Sequence, residues 1–160
     1  MRLSTKGRYA VTAMMDLALH EHGGPVPLSE ISACQSISLS YLEQLFAKLR
    51  RRELVNSVRG VHGGYLLARP ASDITVAQIF GAVDEKVETS LVTPDGEGPR
   101  DEVAELQELW NGLSRRLYDF LNGISLADCI NTAQVQELAE TQDQRQGRER
   151  SVSFAVSSEE

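Results

Sequence analysis

Residues 37–68, ISLSYLEQLFAKLRRRELVNSVRGVHGGYLLA, predict a helix followed by a β-hairpin. Ser38 is placed to cap a helix from Leu39 to about Arg51, because its hydroxyl can accept a hydrogen bond from an otherwise unpaired amide of the first turn. Large apolar residues recur at helical spacing on one face of this helix: Leu42, Leu45, Phe46 and Leu49. The pattern predicts an amphipathic helix with one buried face.

The opposite face of this helix carries side chains that suit DNA: Ser40, Glu43, Gln44, Lys48 and Arg51. Glutamine can bond an adenine edge through two atoms, and glutamate can accept a hydrogen bond from cytosine. Lysine and arginine bind phosphate oxygens or guanine. We predict that Gln44 and Glu43 reach base edges while Lys48 and Arg51 contact the backbone. On composition alone, a solvated helix face is an equal alternative.

The residues after this helix predict a hairpin. Residues 54–59 and 65–68 are short β-prone runs, and the glycine-rich residues 60–64 connect them. Because a short helix at 28–35 and a turn come first, the order of elements is that of a winged helix-turn-helix. In that arrangement the second helix enters the major groove, and Arg59 on the hairpin can reach phosphate or a narrow minor groove.

Three further helices complete the first half of the chain. The first spans about residues 7–22, with an apolar stripe at Tyr9, Ala10, Ala13, Met14, Leu17 and Ala18. The second, at 28–35, carries Cys34 on its apolar face, so this thiol is predicted to lie in the core. The third begins at a capping-box pattern, Thr75 with Gln78, and is predicted to pack on the helix-turn-helix.

A long helix is predicted from Pro99 to Gly123. Its large apolar residues are separated alternately by three and four positions, the spacing of a heptad seam: Val103, Leu106, Trp110, Leu113, Leu117 and Phe120. A seam this long needs a partner, and we predict the same helix of a second subunit; packing back on the first helix is the alternative. A short helix opens at Ser125, with Cys129 directed inward.

The predicted fold class is therefore mainly α with a small β-hairpin wing. Residues 1–83 form a winged helix-turn-helix DNA-binding domain, and residues 84–98 form a polar loop. Residues 99–140 hold the dimerisation helix and a short C-terminal helix, and residues 141–160 form a mobile polar tail.

Charge is divided unequally along the 160 residues, whose net formal charge is −7. Residues 1–70 carry nine basic and five acidic groups, a net charge of +4, and the remainder carries −11. A local basic patch attracts a polyanion within a screening length of about 10 Å. The acidic average therefore does not exclude DNA binding.

Composition indicates one globular domain, with 41% apolar and 24% charged residues. No apolar run approaches the roughly 18 residues that cross a bilayer, and the first residues show no signal-peptide cleavage site, so we expect a cytoplasmic protein without a membrane partner. Cys34 and Cys129 are too few for a zinc finger or a four-cysteine iron–sulfur site within one chain. They lack a catalytic Cys–His signature, and residues 60–64 lack a phosphate-cradle pattern, so neither an enzyme nor a small-molecule ligand is inferred.

Several stretches resemble the iron–sulfur cluster regulator (IscR) branch of a family of dimeric bacterial winged-helix transcription regulators. They are MRLSTKGRYAVTAMMDLAL at 1–19, ISLSYLEQLFAKLRRRELVNSVRG at 37–60, GGYLLARP at 63–70 and AVDE at 82–85. A looser similarity continues in LW at 109–110 and LSRRLYDFLNGISL at 113–126. The resemblance implies a homodimer, crossed through the long helix, that binds palindromic operators upstream of genes for cluster assembly or stress responses.

The resemblance also implies DNA-reading roles for four residues: Ser40, Glu43, Gln44 and Arg59. The wing departs from the family's usual RGPGGGY, since this chain has RGVHGGY at 59–65. The arginine is therefore retained while the tip differs.

The cluster-binding positions that the resemblance implies are not retained. Sensor regulators of this family hold a [2Fe–2S] cluster through three cysteines and a histidine or another nearby group. An ungapped alignment between AVDE and LW places these positions on Val92, Gly98, Ala104 and Gln107, which are not iron ligands. We expect neither a cluster nor another cofactor.

The sequence leaves two functions open. The leading hypothesis is a cluster-free, sequence-specific DNA-binding transcription regulator. The alternative is a dimeric protein-interaction adaptor that keeps the fold and uses the acidic C-terminal half. The basic run at 48–52 and Arg59 favour the regulator, because an adaptor has no need of phosphate-binding charge.

Overall fold

The computed structural model describes residues 4–84 and 102–132, together with Glu137 and Thr141. These ranges contain, in chain order, α1 (Thr5–His20), α2 (Leu28–Gln35), α3 (Leu39–Arg51), β1 (Val55–Val58), β2 (Gly64–Leu67), α4 (Val76–Val83), α5 (Glu102–Asn122) and α6 (Leu126–Ile130). The predicted fold class, mainly α with a small β-hairpin, is confirmed.

Parts of the expected organisation lie outside the described residues. They are the loop at 84–98 apart from Asp84, the start of the long helix before Glu102, and the tail at 141–160 apart from Thr141. Thr141 itself is helical, and its Oγ1 donates a hydrogen bond to the carbonyl of Glu137 at 2.9 Å.

The helix-turn-helix is formed by α2 and α3. Ser36 ends α2 in the left-handed conformation, at φ 53°. Ser38 then caps α3, because its Oγ accepts a hydrogen bond from the amide of Tyr41 at 3.4 Å. The predicted inner face of α3 is buried throughout: Leu42, Leu45, Phe46 and Leu49. Four residues of the predicted outer face are consequently exposed, Ser40, Glu43, Gln44 and Arg51, whereas Lys48 is half-buried.

The hairpin is fixed at its base by the rest of the domain. Strands β1 and β2 pair antiparallel, with Val55 opposite Leu67 at the base. On the free side of β2, Val26 exchanges two backbone hydrogen bonds with Tyr65, at 2.9 and 3.0 Å. The carboxylate of Glu21 accepts a further hydrogen bond from the amide of Leu67 at 2.9 Å. These contacts leave the opposite end of the hairpin projecting.

The beginning of α4 and the end of α5 are joined by a short antiparallel bridge. Thr75 caps α4 and Ser125 caps α6, and these two residues pair with each other. Two backbone hydrogen bonds flank the pair: the Val76 amide donates to Ile124 at 2.9 Å, and the Leu126 amide donates to Ile74 at 2.7 Å. The capping box predicted at Thr75 is confirmed.

Helix α1 differs from its expected bounds of 7–22. It begins at Thr5 because the Oγ of Ser4 accepts a hydrogen bond from the amide of Gly7 at 3.1 Å. It ends at His20, where a 3₁₀ turn follows. One carboxylate is buried on this helix: Asp16 lies 2.8 Å from Nδ1 of His20 and accepts from Nε2 of Gln35 at 3.3 Å.

Three packing expectations need correction. Cys34 and Cys129 are half-buried instead of lying in the core, because each lies near the C-terminus of a short helix. Tyr9 is 41% exposed, since it lies at the edge of the apolar face of α1. Within the described residues, α5 packs mainly on α4, and it is the short α6 that packs on α1.

A close approach between α1 and α4 gives a test of the core. A Cβ added at Gly7 would collide with the buried ring of Phe80, whereas a Cβ at Gly81 on α4 would meet nothing within 4 Å. Gly7→Ala should therefore lower the free energy of unfolding by about 1–3 kcal/mol. Gly81→Ala should raise it by about 0.5–1 kcal/mol, because alanine favours a helix. Urea denaturation measures both, and equal effects would contradict the close packing.

Candidate nucleic-acid interface

The N-terminal half of α3 presents the predicted base-reading residues to solvent. Ser40, Glu43 and Gln44 are all exposed, while the intervening Leu42 is fully buried. Burial of the inner face fixes the rotation of the helix, so these three side chains share its outer face. In helix-turn-helix proteins this part of the second helix contacts base edges in the major groove.

The C-terminal end of α3 is basic and is tied to the wing. Arg50 donates a hydrogen bond through Nη1 to Oγ of Ser57 on β1, at 3.3 Å. Arg51 is exposed on the following position, as its predicted phosphate contact requires. The link between Arg50 and Ser57 holds the hairpin at a set position relative to α3, although both groups are solvent-exposed.

Lys48 has an internal partner that the sequence did not indicate. Its side chain is half-buried, and Nζ donates a hydrogen bond to the carbonyl of Val83 at 3.3 Å. Val83 is the last residue of α4, where unpaired carbonyls and the helix dipole favour a cation. Lys48 therefore links α3 to α4, while its predicted phosphate contact stays a prediction.

The wing carries Arg59 immediately after β1. Arg59 is exposed, and the next residue, Gly60, has φ 120°, a conformation that favours glycine. The amide of Gly63 donates to the carbonyl of Gly60 at 3.0 Å, which closes a tight turn. Arg59 thus lies, exposed, at the start of this turn.

An aromatic pair beside the start of α3 was not anticipated. The rings of Tyr9 on α1 and Tyr41 on α3 meet edge to face, with centroids 5.9 Å apart. Burial raises the pKa of Tyr41, and the neighbouring Tyr9 adds to the effect. Exposed Lys6 and Arg8 lie on the same first turns of α1.

The predicted seam on α5 is largely uncovered in the single chain. Leu106, Trp110, Leu113 and Phe120 are between 51% and 66% exposed, and Leu117 is half-buried. The side chain of Val103 lies outside the described residues. Leu109, which the seam pattern left out, is 69% exposed and lies at the edge of the same face.

Of the four positions that the resemblance aligns with cluster ligands, only Gln107 has its side chain within the described residues. Gln107 is half-buried, and its Nε2 donates to Oδ1 of Asn111 at 3.5 Å. Burial raises the pKa of the Cys129 thiol, and the adjacent Asp128 adds to this, so the ligating thiolate is disfavoured. Among described residues, His, Cys, Asp and Glu side chains form no group of three that could hold a metal ion.

A family model described as Rrf2, iron-dependent transcriptional regulator, matches residues 3–132. The chain belongs to the Rrf2 family. It is therefore a DNA-binding transcription regulator with a winged helix-turn-helix, and the resemblance to the IscR branch is confirmed.

Three Rrf2 relatives illustrate this similarity. The ORF2 protein of Azotobacter vinelandii, named as a helix-turn-helix regulator, is 55% identical over 147 residues, 92% of this chain and 90% of that protein. IscR of Erwinia tasmaniensis is 49% identical over 148 residues, with the same coverage. The solved structure of T. potens IscR has a TM-score of 0.64 at 38% identity and covers 81% of this chain and 86% of that one.

No helix in the described ranges is long and apolar enough to cross a membrane. Helix α5, at 21 residues, has the length but carries charged residues on most of its turns.

Variants of Lys48 and Arg51 can separate the two roles of basic residues on α3, which are contact with DNA phosphates and stabilisation of the fold. Arg51→Ala should weaken binding to all DNA sequences alike, and should reduce the salt dependence by about one counterion per subunit. Lys48→Ala should have the same effect on binding and should also lower the free energy of unfolding by about 1 kcal/mol, because it removes the bond to Val83. Salt titrations and urea denaturation test both variants. A destabilised Lys48→Ala protein with an unchanged salt slope would show that this lysine acts only within the chain.

Proposed function

We propose that this Rrf2 protein is a homodimer that binds a palindromic operator and works without a [2Fe–2S] cluster. The observation that carries the proposal is the combination of an exposed reading face on α3 with an uncovered apolar seam on α5. A dimer built on one seam is two-fold symmetric, so its two α3 helices face two half-sites of opposite orientation.

The dimer rests on the amount of apolar surface that α5 leaves exposed. Helix α5 has 21 residues and is about 30 Å long. Its seam includes Trp110 at 52% exposure and Phe120 at 66%. Contiguous apolar surface of this extent is unusual on a monomer, and a heptad spacing is the pattern that a second helix covers.

The proposal of a cluster-free regulator rests on the side chains at the four aligned positions. Three of them are aliphatic or absent, at Val92, Gly98 and Ala104, and the amide of Gln107 is hydrogen-bonded to Asn111. Thiolates and imidazoles are the groups that hold such clusters. The regulator is therefore expected to read DNA in a single, metal-independent form, acting by binding and not by catalysis.

The genes it controls are proposed from the relatives. Because it resembles the regulator of iron–sulfur cluster assembly genes, we place its operators upstream of such genes. Its target is chromosomal DNA, so it acts in the bacterial cytoplasm. A dimer that bound a protein and no duplex would favour the adaptor instead.

The seam predicts how dimerisation can be broken. Leu113→Asp would place a charge in an apolar contact, which costs several kcal/mol unless the contact opens. We expect this variant to be monomeric in sedimentation and to bind a two-half-site duplex far more weakly. Arg115→Asp, on the opposite side of α5 and exposed, changes charge more but should leave the dimer intact. A folded, dimeric Leu113→Asp protein would refute the seam as the interface.

The ligand positions predict a colourless protein. Purified under anaerobic conditions, the wild type should contain no stoichiometric iron or sulfide and should bind DNA equally with and without reductant. A variant with Val92→Cys, Gly98→Cys, Ala104→Cys and Gln107→His, purified in parallel, shows whether the procedure preserves a cluster where ligands exist. Charge-transfer absorption with stoichiometric iron in the wild type would overturn cluster-free operation.

A further inference from the structure

We propose that Lys48 is a positioning residue that makes the dimer prefer one half-site spacing in its operator. It acts through the carbonyl of Val83, which fixes the recognition helix α3 to the helix that packs on α5. This inference rests on the proposed homodimer and its palindromic operator. It adds to that proposal the side chain on which selection of the spacing depends.

Helix α4 is the element that joins the recognition helix to the seam helix. Within the described residues it packs on both α3 and α5, and also on α1. Its eight residues span about 12 Å, and six of them are buried. In the proposed dimer, a shift of α3 relative to the dimer interface therefore requires a shift of α3 on α4 or of α4 on α5.

The N-terminal end of α4 is hydrogen-bonded to the end of α5. The hydroxyl of Thr75 donates to Oδ1 of Asn122 at 3.1 Å, and the amide of Val76 donates to the carbonyl of Ile124 at 2.9 Å. Hydrogen bonds depend on direction as well as distance. These bonds therefore fix both the position and the orientation of α4 on α5.

The C-terminal end of α4 is joined to α3 by Lys48. Its Nζ donates to the carbonyl of Val83 at 3.3 Å, and the side chain is half-buried. The carbonyls at a helix C-terminus and the helix dipole favour a cation at this place. The buried side chains of α4 nearby, Ile79, Phe80 and Ala82, are apolar. Apolar burial is non-directional, so the bond from Lys48 is the contact that selects one orientation of α3 on α4.

Half-site spacing is sensitive to this orientation. In a two-fold symmetric dimer, the same change occurs in both recognition helices, so its effect on their separation is doubled. One added base pair moves a half-site by about 3.4 Å and rotates it by about 35° around the DNA axis. A dimer in which α3 is fixed on α4 loses contacts with a half-site displaced in this way. A dimer in which α3 can turn on α4 recovers part of them.

The test uses the full-length protein and a core operator selected from duplexes of random sequence. One or two base pairs are added or removed at the centre of this operator, and affinity is measured for each spacing at one salt concentration. The wild type should prefer one spacing to its one-base-pair neighbours by about tenfold or more. Lys48→Met keeps the apolar stem and removes the donor, so it should reduce this ratio to about threefold or less. Lys48→Gln should do the same, because its amide nitrogen is one bond too short for the contact with Val83.

Two variants are the matched controls. Lys48→Arg keeps a charged donor that can reach the Val83 carbonyl, and it should retain the wild-type spacing ratio. Arg51→Met removes a charge from the exposed position three residues further along α3. It should lower affinity at every spacing by the same factor and leave the ratio unchanged, since a phosphate contact does not depend on the distance between half-sites.

The outcomes separate this inference from the proposed function. A monomeric wild type, or failure to select a palindromic core, would refute the proposed dimer and this inference with it. A dimeric wild type that binds all spacings alike would refute only the inference, as would a Lys48→Met protein that keeps the full spacing ratio. An equal loss of affinity at all spacings in Lys48→Met, as in Arg51→Met, would show that Lys48 acts on phosphates and would also overturn it.

Discussion

The contact between Phe46 and Tyr65 couples α3 to the wing. Phe46 is fully buried on the inner face of α3, and its ring meets that of Tyr65 on β2 edge to face, with centroids 4.9 Å apart. Tyr65 is also the residue that pairs with Val26. This aromatic contact therefore joins the inner face of α3 to the wing, and close packing resists a shift of either one alone.

The helices and strands of this fold could be predicted from the sequence because each has a local cause. Apolar spacing identified the inner face of α3, and the Ser38 and Thr75 caps lie where hydroxyls can serve first-turn amides. Contacts between residues that are far apart along the chain could not be predicted in this way. The bond from Lys48 to Val83 joins positions 35 apart, and the pairing of Tyr9 with Tyr41 depends on how two helices cross. Exposure of the base-reading residues followed from periodicity, whereas the roles assigned to them on DNA still stand as predictions.

The predicted absence of cluster ligands bears on what the middle of the chain can do. In a regulator that senses through a metal centre, that segment must be held where ligands converge. Here Gln107 bonds within α5, and Lys48 joins the recognition helix to the end of α4, the residue just before the segment begins. Within the described residues, the hydrogen bond between Lys48 and Val83 thus connects α3 to the end of α4.

The bridge between Thr75 and Ser125 fixes the end of α5 to the winged helix-turn-helix domain. The two segments are joined through paired backbone groups, and Leu126 next to the bridge is buried. In the proposed dimer, the distance between the two winged helix-turn-helix domains is then set by which residues of the two α5 helices pair with each other. A shift of this pairing by one heptad would displace the domains by about 10 Å along the helix axis, roughly the rise of three base pairs. In the proposed dimer, the half-site spacing of the operator would thus depend on the register of α5.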